Sequence, residues 1–244
     1  MDEYKKQVTR DAEALVATEM PQRLAQVQAL LAAKFASRQP SVVRSSIDAT
    51  VRAELPARVA IHGDLTALVG AVGDHVELAL SDFQKLSQWI ALQVPRVADG
   101  NNFGVEVQYI VLKELKEASE KLQKAWDSLP EYHNQRATAI EKIVAKPSSE
   151  SSKTTTVTEA HGGKDGDETK TTTASVDKTA TTTTTPVDDW VANVVSIDVK
   201  WYFNLARVLE NVRDLYAIVY DRIDKNKEKI ALPRGNDRAN YSMY

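Results

Sequence analysis

The chain has 244 residues with only 9 glycines and 8 prolines, too few turn-formers for a protein built of many strands. It contains no cysteine, which excludes disulfides, thiol nucleophiles, thiolate zinc sites and iron–sulfur clusters. Thirty-one basic against 34 acidic side chains leave a net charge of −3, so no overall field draws the chain to nucleic acid or anionic lipid. No apolar run approaches the roughly 20 residues that span a bilayer, and the opening Met1-Asp2-Glu3-Tyr4-Lys5-Lys6 has no apolar secretory core. The expectation is an intracellular protein.

A first helix is expected over roughly 3–36, where Val8, Ala12, Leu15, Val16, Leu24, Val27, Leu30 and Leu31 recur at spacings of three and four. Pro21 falls inside this pattern, and because the pattern resumes beyond it, a kink is expected there and not a stop. Over 37–63 the periodicity weakens and Pro40 and Pro56 interrupt it, which reads as a connector with a short helix near Val51. Asp64 is placed to cap a second helix over 64–94, carrying Leu65, Leu68, Val69, Val72, Val76, Leu80, Phe83, Leu86 and Ile90 and ending before Pro95. The stretch Pro95 to Gly104 is a turn, rich in Asn and Gly residues that tolerate positive φ. A third helix follows over 104–146 with Leu112, Leu115, Leu122, Trp126, Leu129, Ala137, Ile140 and Val144, passing Pro130 and stopping at Pro147.

Residues 148–188 break the pattern. They hold no aromatic residue and no Leu, Ile, Phe or Met, and consist largely of threonine runs. Such a segment cannot bury enough apolar surface to offset its ordering entropy, so a disordered insert is expected. Its seven acids (Glu150, Glu159, Asp165, Asp167, Glu168, Asp177, Asp188) face four lysines (Lys153, Lys164, Lys170, Lys178), so the insert carries the whole net −3. A fourth helix over 188–231, with Asp188 as its cap, carries Trp190, Val194, Val195, Trp201, Tyr202, Leu205, Leu209, Val212, Leu215, Tyr216, Val219 and Ile223. Ile197, Val199 and Val208 widen its apolar sector, which fits either core packing or a subunit interface. The helices approach forty residues, about 60 Å at 1.5 Å per residue, and the fold class is all-α, a single long up-down-up-down four-helix bundle. In that topology the turn between helices two and three shares one end with the close of helix four. The flexible tail 232–244, ending Tyr241-Ser242-Met243-Tyr244, leaves from there.

Chemistry is sparse. His62, His75, His133 and His161 form no i, i+4 pair and have no acid at zinc-triad spacing. Asp99-Gly100-Asn101-Asn102 lacks the alternating ligands of a calcium loop and has Ile110 at its twelfth position. There is no phosphate-cradling glycine loop and no nucleophile elbow. Glu114, Glu117, Glu120, Lys121 and Lys124 fit a solvated helix face with i, i+4 pairing. The reading is a protein that is not an enzyme and needs no metal or cofactor.

The stretch Pro95-Arg96-Val97-Ala98-Asp99-Gly100-Asn101-Asn102-Phe103-Gly104-Val105-Glu106-Val107-Gln108 resembles the activation loop of the 11S proteasome activator (REG / PA28) family and its turn into the third helix. Tyr132, Arg136-Ala137, Lys142-Ile143 and Lys146-Pro147 are similar to the same family. So are Asp189-Trp190, Ile197-Asp198, Tyr202, Arg213, Tyr216 and Lys225-Asn226 in helix four, with Pro233-Arg234 following it, and Glu13-Ala14-Leu15-Val16 with Met20-Pro21 in helix one. Two features depart from the pattern: the long insert lies between helices three and four, and Ala98 stands where an acid is common.

The resemblance implies a heptameric homo-oligomer that binds the α-ring of the 20S proteasome in the cytoplasm, the nucleus or both, and opens its gate without ATP. It assigns Arg96, Val97, Ala98, Asp99, Gly100, Asn101, Asn102, Phe103 and Gly104 to the activation loop and Tyr241, Ser242, Met243 and Tyr244 to the docking tail. Nucleic acid and membrane are not expected partners. The alternative from another class is a non-catalytic helical-bundle scaffold or adaptor.

Overall fold

The computed structural model describes residues 1–54, 63–141 and 188–235, and helix is the only regular secondary structure among them. The first expected helix is three pieces in one line: α1 (Asp2–Ala14), a π turn (Leu15–Glu19) and α2 (Met20–Lys34). Pro21 explains the π turn, because its ring has no N–H and would strike the carbonyl four residues back in a regular α-helix. Lengthening the loop of backbone relieves the clash, and the Met20 amide bonds to the Leu15 carbonyl, five residues back. The chain therefore continues past the proline without stopping.

The connector carries a full helix, α3 (Pro40–Glu54), longer than the short helix expected near Val51, with Val43, Ile47 and Val51 buried. Their 4-residue spacing forms a single stripe, and Pro40 sits at the first helical position, where its fixed φ suits helix initiation. Then come α4 (Gly63–Gln93), α5 (Phe103–Ser128), α6 (Glu131–Glu141) and α7 (Asp188–Ala231). The insert expected over 148–188 lies outside the described residues except for Asp188, and Val144 also lies outside them.

The chain passes along the bundle four times, through α1 to α3, back along α4, out again through α5 and α6 and back along α7, so that Arg52 meets Asp188 at one end and Gln108 meets Ile230 at the other. α4 lies against α1, α5 and α7, and α7 lies against α2, α3, α5 and α6 as well. Each contributes one buried stripe: Leu65, Leu68, Val72, Val76, Phe83, Leu86 and Ile90 from α4, and Val194, Trp201, Leu205, Leu209, Val212, Tyr216, Val219 and Ile223 from α7. Within the single chain Val199 is buried, and Ile197 and Val208 pack partly buried on the core, so this part of the broad α7 sector is occupied by its own bundle.

The third helix differs from expectation in phase. It breaks at Leu129-Pro130, where the Tyr132 and His133 amides turn back to the Leu129 and Pro130 carbonyls. Past that break the buried face is Tyr132, Arg136 and Ala139, while Ala137 is exposed and Trp126 is 39% exposed. Arg136 is buried because Asp198 on α7 meets it, with its Nε 3.2 Å from Oδ1, and the Tyr132 hydroxyl donates to the same oxygen at 3.2 Å. A second buried set ties α2, α4 and α7: Arg23 pairs with Asp82, which also accepts from the Tyr216 hydroxyl at 2.8 Å, and Arg23 reaches Glu19 in the π turn. Burial lifts the Asp82 carboxyl above its ordinary range, against the pull of Tyr216 and Arg23, and burial likewise pushes the Tyr132 and Tyr216 phenols up.

These contacts fix the ends of the bundle. Asp188 meets Arg52 at the close of α3, and α6 packs beside the start of α7. The α4–α5 turn, the first turn of α5 and the close of α7 stand together at the opposite end.

Candidate functional site

The turn between α4 and α5 is built by its own polar side chains. Gly100 takes φ +115°, a conformation that L side chains rarely adopt. The Asn101 carboxamide then accepts from the Phe103 amide at 3.0 Å, satisfying one of the donors that the start of a helix leaves unpaired. The Asn102 carbonyl takes the Glu106 amide at 3.0 Å and opens α5, and the Asn102 side chain donates back to the Ala98 carbonyl at 3.4 Å. Both asparagines thus hold the turn's shape and leave its outer surface free.

That surface projects from the bundle. Arg96, Val97, Ala98, Asp99, Gly100, Asn101, Asn102 and Phe103 are all exposed, and Gly104 alone of the sequence-assigned loop residues is buried. Val97 is fully exposed and Phe103 is 60% exposed. Two apolar side chains, Val97 and Phe103, thus stand in water on the outer surface of the turn.

The close of α7 sits directly beneath. The Leu232 amide bonds to the Glu228 carbonyl at 2.8 Å, and the Gly235 amide, at φ +70°, turns back to the Leu232 carbonyl at 3.1 Å. Gln108 on α5, fully buried, donates its Nε2 to the Ile230 carbonyl at 2.7 Å and so satisfies one of the acceptors that the end of α7 leaves open. Arg234 donates to the Asn102 Oδ1 at 3.3 Å. Gly104 lies under Pro233, and a methyl group on Gly104 would fall 2.6 Å from the Pro233 Cα and nearer still to its carbonyl oxygen.

The loop and the root of the C-terminal tail are therefore brought together. Tyr241, Ser242, Met243 and Tyr244 lie outside the described residues. Sequence reasoning missed Gln108 as the cap of α7 and Gly104 as the seat of Pro233, because both contacts join positions more than 120 residues apart and neither residue type announces its partner. Elsewhere, a cleft of about 530 Å3 between α2, α3 and α4 is lined mainly by apolar groups such as Leu30, Val43, Ile47, Leu65 and Leu68, with Asp64 as the one acid among its described lining residues. Among the described residues no cluster of His, Asp and Glu is arranged to hold a metal ion, and no helix is long and apolar enough to cross a membrane.

The chain matches the family models of the proteasome activator PA28, N-terminal over residues 1–53 and C-terminal over residues 58–162 and 167–240. It is 25% identical over 173 residues to the proteasome activator complex subunit 3 of Homo sapiens, and equally to those of Mus musculus and Gallus gallus, covering 71% of this chain and 53% of each relative. The chain thus spans about half the length of these curated relatives. Among solved structures it is similar to the 11S subunit of the Plasmodium falciparum proteasome, PA28, with a TM-score of 0.63 and 19% identity over 95% of this chain and 91% of that one. It is also similar to a chain of an archaeal 20S proteasome–PA26 complex, with a TM-score of 0.59 and 13% identity over 96% of this chain and 92% of that one. At these identities the structures attest the fold. The matched family models, which together take in nearly the whole length, carry the membership: the chain belongs to the PA28 family of proteasome activators.

Proposed function

We propose that this chain is a non-catalytic, ATP-independent activator of the 20S proteasome core particle, acting as a homo-heptamer in the cytoplasm, the nucleus or both. Its C-terminal tails, ending in Tyr241 to Tyr244, dock in pockets of the α-ring, while Arg96 to Gly104 press on the gate. The observation that carries this reading is the shared end of the bundle: an exposed, internally braced turn stands beside the root from which the tail departs. One flat partner can meet both at once. Tyr109, Ile110 and Ile218, each more than half exposed, supply apolar flank on α5 and α7 for neighbouring copies, and seven tails on one ring would bind far more tightly than one.

The test mixes the purified chain with 20S core particles and follows hydrolysis of a fluorogenic peptide without ATP, with native mass measured in parallel. A heptamer that accelerates hydrolysis supports the proposal. A chain that is monomeric at micromolar concentration and leaves the rate unchanged refutes it and favours a scaffold.

A further inference from the structure

We propose that Gly104 is a positioning residue that couples the two contact surfaces: by lacking a side chain it lets Pro233 seat directly on the first turn of α5, so that the tail root and the activation loop move as one body. This deepens the proposed activator function and rests on it.

Three contacts converge on this seat from three levels of the chain. At its base the buried Gln108 side chain holds the Ile230 carbonyl at 2.7 Å. In the middle the Pro233 backbone lies where a Gly104 Cβ would be, closer than real Cβ contacts allow. At its top Arg234 donates to the Asn102 carboxamide, whose own Nδ2 is bonded to the Ala98 carbonyl within the loop. The path from tail root to loop is thus backbone packing and hydrogen bonds throughout. Pro233 has a fixed φ, so displacement of its ring carries its neighbours along.

The consequence is geometric. A tail that docks in a pocket fixes the position of its root, and through this seat it also fixes the height and tilt at which Val97 to Asn102 are presented to the gate. A loose root would let the ring bind by its tails with the loops out of register. Binding and opening would then separate. By helix propensity alone Gly104→Ala favours α5, so any loss in this variant must come from the displaced Pro233 and not from the helix.

Gly104→Ala and, independently, Gln108→Leu are compared with the unaltered chain in two assays. In the isolated ring, amide hydrogen exchange is followed at Leu232 and Gly235 and at Phe103 and Glu106, whose amides are hydrogen-bonded in the structure. Faster exchange at both sites in Gly104→Ala is expected; a change confined to α5 overturns the coupling without reference to any partner. With 20S core particles, saturating stimulation is expected to fall by about tenfold while the affinity of the ring for the core stays within about threefold, because the tails still dock. Full stimulation by either folded variant overturns the proposal. Should Gly104→Ala fail to fold, Gln108→Leu still decides it, since that change leaves the Gly104 surface intact and removes only the lower tether. If the unaltered chain does not stimulate the core at all, the activator function itself falls, and the exchange result separates that outcome from a failure of the coupling.

Discussion

Arg23→Ala is the substitution whose effect the structure defines most sharply. The Arg23 side chain is 14% exposed and its partner Asp82 is 0% exposed, so truncating the arginine leaves a carboxylate in the core with only the Tyr216 hydroxyl and the half-exposed Lys85 ammonium, 3.9 Å away, to compensate it. Breaking a buried pair by removing one partner costs about 3–5 kcal/mol. For a chain of this size each kcal/mol lowers the thermal midpoint by about 2–4 °C, so a fall on the order of 10 °C is expected. The pH dependence gives a second, independent signature. Burial already raises the Asp82 pKa in the native protein and Arg23 restrains it, so the variant raises it further. A folded-state pKa above the unfolded value means that stability is fully present below the unfolded pKa and is lost as pH rises through the folded one. The deficit of Arg23→Ala should therefore grow as pH rises through the interval between the folded-state Asp82 pKa of the unaltered chain and the higher one of the variant, by up to about 1.4 kcal/mol per pH unit. Urea denaturation followed by helical circular dichroism, at one fixed protein concentration because assembly stabilises the folded chain, measures both effects. Replacing both partners, Arg23→Met with Asp82→Asn, should recover most of the loss. A deficit below about 1 kcal/mol, or one that grows on acidification, would refute the assignment of this pair as a buried ionic tie.

Other positions give separable outcomes. Gly70 lies in α4 with open space around it, so Gly70→Ala should stabilise the chain by about 0.5–1 kcal/mol, and a lower urea midpoint would contradict that placement. His75 is held below its ordinary pKa by burial; a lowered folded-state pKa contributes stability above pH 6.5 that is lost as pH falls through the folded value, so the unaltered chain should weaken over that range more steeply than His75→Gln. Parallel slopes in the two denaturation series would show that His75 is not the titrating group. Asn102→Tyr should leave tail-mediated binding to the core particle intact and abolish gate opening, because it removes the bonds from Asn102 to Ala98 and Arg234 that shape the loop, while the docking tip at Tyr241 to Tyr244 is unchanged; undiminished peptide hydrolysis would remove this loop from the mechanism.

How much the sequence disclosed depended on how local each determinant is. The apolar stripes of α4 and α7 recur every three or four residues, so Leu65 to Ile90 and Val194 to Ile223 could be assigned to buried faces without knowing what they pack against. The turn was equally plain, since Gly100 and the two asparagines act within five residues of one another. Pro21 was read as a kink, but the π turn that accommodates it depends on backbone detail that periodicity does not encode. The face of α6 was hidden because Leu129-Pro130 resets the helical phase and because its core residue Arg136 is charged. Its burial follows from Asp198, 62 residues away. The same distance problem concealed Arg23 with Asp82, Gln108 with Ile230, and Gly104 with Pro233. Each of these residues is unremarkable in the sequence and acquires its role only when another helix arrives.

Whether one end of this bundle acts on the proteasome through tails and loops together is decided most directly by removing the tail tip alone. A chain lacking Ser242, Met243 and Tyr244 is titrated into 20S core particles, with binding and peptide hydrolysis recorded on the same samples. The expected outcome is a ring with unchanged mass and helicity that neither binds the core nor stimulates hydrolysis. A truncated ring that still binds and stimulates to the full extent would contradict it.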